Sequence, residues 1–194
     1  MDTNDEEAVS TSRDYGRLKG EYQAMFDACE TRPNRQPAVA EVCRRVASGK
    51  ARYAAVAAAF GDMPWPFVGA IHAMETGLSF ARHLHNGDPL TGRTVHVPAG
   101  RPKTGAPPFA WEDSAKDALT MRGLGREDDW SIPRMLYNLE RYNGWGYRTL
   151  GRPTPYLWSF STHYLKGKYV ADGRYDADAV SQQPGAALIL KGLA

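Results

Sequence analysis

Apolar residues recur at helical spacing along most of this 194-residue chain. Leu18, Tyr22, Met25, Phe26 and Cys29 predict a helix over residues 15–30, and Val39, Val42, Cys43 and Val46 predict another over 37–48. A short polar turn containing Pro33 joins them, which predicts an antiparallel helical hairpin. Residues 50–61 are alanine-rich enough for a third helix packed closely on a neighbour. A fourth starts with Asp62 as N-cap, tolerates Pro64 and Pro66 in its first turn, turns Phe67, Val68, Ile71 and Met74 inward and stops at Gly77. Further helices are expected over 111–121, where Glu112 and Asp113 suit the positive end of the helix dipole, and over 129–142, 155–165 and 185–193. The pattern therefore predicts a mainly α fold of seven or eight helices.

One stretch breaks this period. Asn86-Gly87 is a hairpin-turn dipeptide, Pro89 and Gly92 are breakers, and residues 94–97 alternate apolar and polar in the manner of a strand. A small β-hairpin is expected here, carrying Asp88, Thr94 and His96 on a polar surface near the end of the fourth helix. Residues 101–108, with Pro102, Gly105, Pro107 and Pro108, read as an irregular loop lining one side of the cleft that this hairpin would form.

Composition narrows the class. With 42% hydrophobic and 24% charged residues, the chain has enough apolar material for one domain over 15–194, with 15–49 as a helical hairpin packed on it. Residues 1–14 are polar and acidic and read as a disordered leader, neither secretory signal nor anchor. The longest run of small apolar residues, 54–60, is too short to cross a bilayer, so the expectation is a soluble chain made in the cytoplasm without membrane insertion; a monomer is expected as well. A net charge of +2 is too small to argue for a nucleic-acid partner and would suit an anionic bacterial wall. Cys29 and Cys43 lie at matching distances from the first turn, so buried free thiols and a disulfide both stay open. Five scattered histidines make neither HExxH nor any metal spacing with cysteine, and no metal or cofactor is expected.

The chemistry centres on Glu75. It sits four residues after Ile71 and seven after Val68, on the apolar side of its helix and one turn from His72. A carboxyl held among apolar groups has its charged form disfavoured, which suits a general acid near neutral pH. Asp88 would supply a second carboxylate and Thr94 a hydroxyl to hold water, an arrangement suited to glycoside cleavage. Other readings stand beside these: Glu75 paired with His72, Asp88 bracing its own turn, Thr94 as an ordinary strand residue, Arg101 and Lys103 on a solvated loop, and the C-terminal aromatics as core.

Glu at a helix end, then Asp, then Thr six residues later resembles the Glu/Asp/Thr triad of phage-type lysozymes, although the interval from Glu75 to Asp88 is a few residues longer than in that pattern. Longer strings, HLHNGDPLTGRTVHVPAGRP, PPFAWEDSAKDAL, YNGWGYR, PYLWSFSTHY and GKYVADG, resemble a bacterial and phage family of peptidoglycan hydrolases described as lysozyme family proteins. The resemblance runs from about residue 64 to the C-terminus. It implies a lysozyme-like fold, mainly α with a small β-hairpin, acting as a muramidase on peptidoglycan glycan strands. Glu75 would be the general acid, Asp88 the carboxylate that activates water or stabilises positive charge, and Thr94 the water-holding hydroxyl. His96, Arg101, Tyr142, Asn143 and Trp145 would contact substrate. Such an endolysin-like protein would reach the wall after release or export, as phage endolysins do through holins. Tyr142-Asn143-Gly144 also resembles the Tyr-Asn motif of lytic transglycosylases and goose-type lysozymes, so a lytic transglycosylase giving 1,6-anhydro products is an alternative. A chitinase or chitosanase is another, and a non-catalytic wall-binding or virion structural protein a third.

Overall fold

The computed structural model describes residues 8–194, and residues 1–7 of the expected leader lie outside them. The fold is mainly α with a small antiparallel hairpin. In chain order the described elements are α1 (Tyr15–Ala28), α2 (Gln36–Ser48), α3 (Lys50–Ala57), α4 (Trp65–Thr76), α5 (Trp111–Met121), α6 (Ile132–Asn143), α7 (Gly146–Thr149), α8 (Pro155–Trp158), β1 (Lys168–Ala171), β2 (Arg174–Asp176) and α9 (Ala186–Gly192). The chain divides within α2 into two compact units, one of residues 44–130 and the other of the residues up to 43 together with 131–194.

In the second of these units α1 packs along α6, not in a close pair with α2 as expected, and α6, α8 and α9 pack on one another. The Asp14 carboxylate caps α1 by accepting the Arg17 N–H, and Lys191 of α9 donates to the Phe26 and Cys29 carbonyls at its far end, a cation where the helix dipole is negative. Residues 8–14 correct the expectation of a disordered leader. Val9 is buried and donates its N–H to Gly151, and the Ser10 carbonyl accepts from Arg148. Cys29 and Cys43 are free buried thiols, both pushed upward in pKa by burial, and Cys43 lies against the Ile189 carbonyl of α9. The helix expected over 155–165 ends at Trp158, because Ser159 turns to extended backbone and Phe160 adopts a left-handed φ of 69°.

The hairpin also lies elsewhere than expected. β1 and β2 pair with Tyr169 opposite Tyr175 around Asp172-Gly173, a turn dipeptide whose glycine has φ 66°. Residues 94–97 form no strand.

In the unit of residues 44–130, α3 runs on through a 3-10 turn, Ala58–Phe60, and packs against both α4 and α5. Gly69 permits the approach of α4: a Cβ there would stand 2.4 Å from Val46 Cγ1 and 3.3 Å from the Tyr53 ring. Asp62 is not the N-cap of α4. Pro64 takes that place in extended backbone, and Pro66 occupies the first turn, where its missing N–H costs nothing. Residues 78–110 then cross the unit without a helix or paired strand, with an isolated bridge of Arg82 with Pro89 and backbone hydrogen bonds such as Thr94 N–H to the Arg101 carbonyl.

Candidate active site

α4 is buried from Phe67 to Ala73, and Met74, Glu75 and Thr76 at its end are half-buried. Gly77 caps it in the left-handed conformation, as its sequence position implies, with its N–H on the His72 carbonyl. Leu78 follows with φ 67°, which costs a residue bearing a Cβ about 1–2 kcal/mol, and Arg45 binds the Gly77 carbonyl at 3.1 Å. The backbone thus turns sharply just past Glu75 and leaves that carboxyl at the end of an otherwise buried helix.

One turn back, His72 is fully buried, its ring centroid 4.5 Å from Phe80 and 4.6 Å from Trp111. Its Nδ1 shares a 2.9 Å hydrogen bond with the Tyr53 hydroxyl, and Nε2 has no hydrogen-bond partner of good geometry among the described residues. Burial, aided by Arg52 and Arg45 and opposed by the Ser79 backbone, pulls its pKa down to about 4. Above that pH the ring is neutral, so it is not an ion-pair partner for a carboxylate. Arg52 lies over Phe80 and binds Glu112 of α5 in a two-pronged ion pair, which holds the Glu112 carboxyl below its usual range.

Asp88, Thr94, His96 and Arg101 are brought together, but as the frame of a loop in place of the expected hairpin. One oxygen of Asp88 accepts from the Val95 N–H (2.8 Å), the His96 N–H (3.0 Å) and the Asn86 amide (3.0 Å), while the other meets His96 Nδ1 at 2.6 Å. The His96 ring and these N–H groups hold the Asp88 carboxyl well below the usual carboxylate range. Thr94 is buried; its hydroxyl donates to the Pro98 carbonyl and accepts the Arg101 N–H, while its backbone bonds Arg101 and Gly100. A carboxylate this stabilised is a weak base, and a buried hydroxyl already donating and accepting is poorly placed to hold water. These contacts engage both Asp88 and Thr94 in bracing the loop, the other reading open to each of them. Period-2 alternation over 94–97 therefore marks this frame, with Val95, His96 and Val97 exposed. The Arg101 guanidinium turns to Asp117 of α5 at 3.3 Å.

Sequence reasoning missed three polar pairs in this unit. His83 Nε2 meets the Gly92 carbonyl at 2.7 Å, so in the neutral ring it donates, and Nδ1 accepts from the Ser114 hydroxyl at 2.7 Å. The His85 Nε2 lies 2.7 Å from Asp117, whose other neighbour is Arg101, and burial lowers the His85 pKa against the pull of Asp117. Tyr53 and His72 are the third. The alternation of His83 and His85 was the available signal; their partners on α5 lie about thirty positions away. Beside Asp117 a surface cleft of about 570 Å³ runs between residues 104–110 and α5, with Phe109, Asp113, Lys116 and Thr120 in its lining. Among the described residues no group of His, Cys, Asp and Glu could hold a metal ion.

Tyr142, Asn143 and Trp145 belong to the other unit. Tyr142 is buried on α6, Asn143 is exposed at its last turn, and Trp145 packs its ring 5.3 Å from Tyr137. Glu140, one turn before Gly144, is a further missed residue: it is buried, pairs with Arg148 through both oxygens and accepts the Tyr22 hydroxyl, while Arg148 also binds Glu21. This ion pair ties α1, α6 and α7 together.

Compared with family models, curated proteins and solved structures, the chain matches none of them. No single helix among the described residues is long and apolar enough to cross a membrane.

Proposed function

We propose that the chain cleaves the β-1,4 bond between N-acetylmuramic acid and N-acetylglucosamine in peptidoglycan, with Glu75 as the general acid. The observation that carries this reading is Glu75 half-buried at the end of a buried helix, beside backbone turned sharply by Gly77 and Leu78. Strain of that kind persists where surrounding structure imposes it, and it concentrates at functional sites. The long strings that resemble those of lysozyme family proteins suggest the substrate class.

The bonding of Asp88 favours a second reading of the outcome. With both its oxygens engaged in the loop, Asp88 is a poor candidate for activating water. A mechanism with one carboxyl suits this better: Glu75 protonates the leaving oxygen, then takes the proton of the muramyl 6-hydroxyl as it attacks, and a 1,6-anhydro product forms without water.

The test is mass spectrometry of purified peptidoglycan digested by the wild type and by Glu75→Gln. Reducing muropeptides that vanish in the variant support hydrolysis, and 1,6-anhydro products that vanish support the transglycosylase. Release that persists in the variant removes Glu75 from the chemistry. No release by either protein leaves a wall-binding protein.

A further inference from the structure

We propose that Asp88 is a positioning residue for His96, and that the exposed Nε2 of His96 is a preset acceptor for a hydroxyl of the bound glycan. The inference rests on the glycan-binding part of the function proposed above. His96 is the most exposed polar member of the loop frame, with 79% of its side chain open to solvent, yet its ring is held on one side by a 2.6 Å contact to a buried carboxylate. An exposed histidine ordinarily rotates and exchanges its proton between two nitrogens. This one is fixed.

The tautomer follows from the bonding. Asp88 is ionised and accepts only, so the nitrogen facing it, Nδ1, must carry the proton in the neutral ring. Nε2 is then left with a bare lone pair on the open side of the ring, and the carboxylate behind the ring strengthens it as an acceptor, as a carboxylate bonded to the far nitrogen does for metal-binding and catalytic histidines. The loop holds the backbone of His96 as well: its N–H goes to Asp88 and its carbonyl accepts the Asn86 amide at 2.9 Å. An acceptor fixed at both ring and backbone loses little entropy on binding. Saccharide hydroxyls are donors that such an acceptor fits, and Val95 and Val97 beside it, 76% and 90% exposed, present apolar surface for the C–H faces of a sugar.

Asp88→Asn separates this role from bracing. Three donors converge on Asp88 Oδ2, so the asparagine oxygen belongs there and its amide NH₂ faces His96 Nδ1. That amide donates, Nδ1 must accept, and the proton moves to Nε2. The loop stays while the exposed nitrogen changes from acceptor to donor, the same inversion that disables serine proteases when the triad aspartate becomes asparagine.

The experiment uses Glu75→Gln as parent so that nothing is cut, with a GlcNAc–MurNAc tetrasaccharide lacking stem peptides as the probe. Two-bond ¹H–¹⁵N spectra at neutral pH report the His96 tautomer, and calorimetry reports binding. The expected result is a protonated Nδ1 in the parent, a protonated Nε2 after Asp88→Asn, and about tenfold weaker binding for both Asp88→Asn and His96→Ala, the loss of one hydrogen bond. His96→Gln, whose side-chain oxygen also accepts, recovers part of the affinity. A parent with Nε2 protonated overturns the proposal, as does unchanged affinity in His96→Ala or no binding of the tetrasaccharide by the parent. Affinity that depends on His96 in a protein whose wild type releases no product upholds the inference and sinks the cleavage reading alone.

Discussion

Acidification tests the burial of His72 most directly. The unfolded chain holds this histidine with a pKa of 6.5, whereas in the folded protein it is about 4. Between these values the unfolded chain takes up a proton that the folded one refuses, so stability is fully present above about 6.5 and is lost as pH falls. The gap corresponds to roughly 3 kcal/mol when fully expressed, of which about 2 kcal/mol is lost between pH 7 and pH 5. His85, also lowered by burial, adds a loss of the same sign, so the His72 part is read as a difference between two proteins. His72→Gln keeps an acceptor for the Tyr53 hydroxyl and removes the titration. Urea unfolding followed by tryptophan fluorescence, with Trp111 packed on the ring, gives the free energy at each pH provided the denaturant slope stays constant. The variant is expected to be less stable at pH 7 but to lose about 2 kcal/mol less on going to pH 5. Parallel losses in the two proteins, or an NMR titration placing His72 near 6.5, would show that burial does not suppress its protonation.

Two further predictions concern packing. Glu140→Ala leaves Arg148 and the Tyr22 hydroxyl without their buried partner, and should cost about 3–5 kcal/mol in urea unfolding; a loss under about 1 kcal/mol would show the pair to be solvated. Gly69→Ala places a methyl group against Val46 and the Tyr53 ring, an overpacking of about 1–3 kcal/mol that outweighs the gain in helix propensity. Val46→Ala in the same chain should relieve part of it, and additive effects in a double-mutant cycle would show that the two side chains do not meet.

What depends on near neighbours was legible along the chain. The limits of α5, the end of α4 at Gly77 and the mainly α character follow from spacing, turn residues and caps acting within a few positions. The rest depends on groups far apart in the chain. Residues 94–97 alternate as a strand should, but Asp88, seven and eight positions before Val95 and His96, takes the N–H groups of those two, while strand pairing occurs at 168–176. Glu75 and Glu140 carry the same local signature, each a glutamate four residues after an inward apolar residue. One stays half-exposed at the end of its helix; the other is sealed beneath Arg148 and Tyr22. Desolvation and charge pairing are set by groups distant in sequence, so no local pattern could say which glutamate was a candidate acid and which an ion pair.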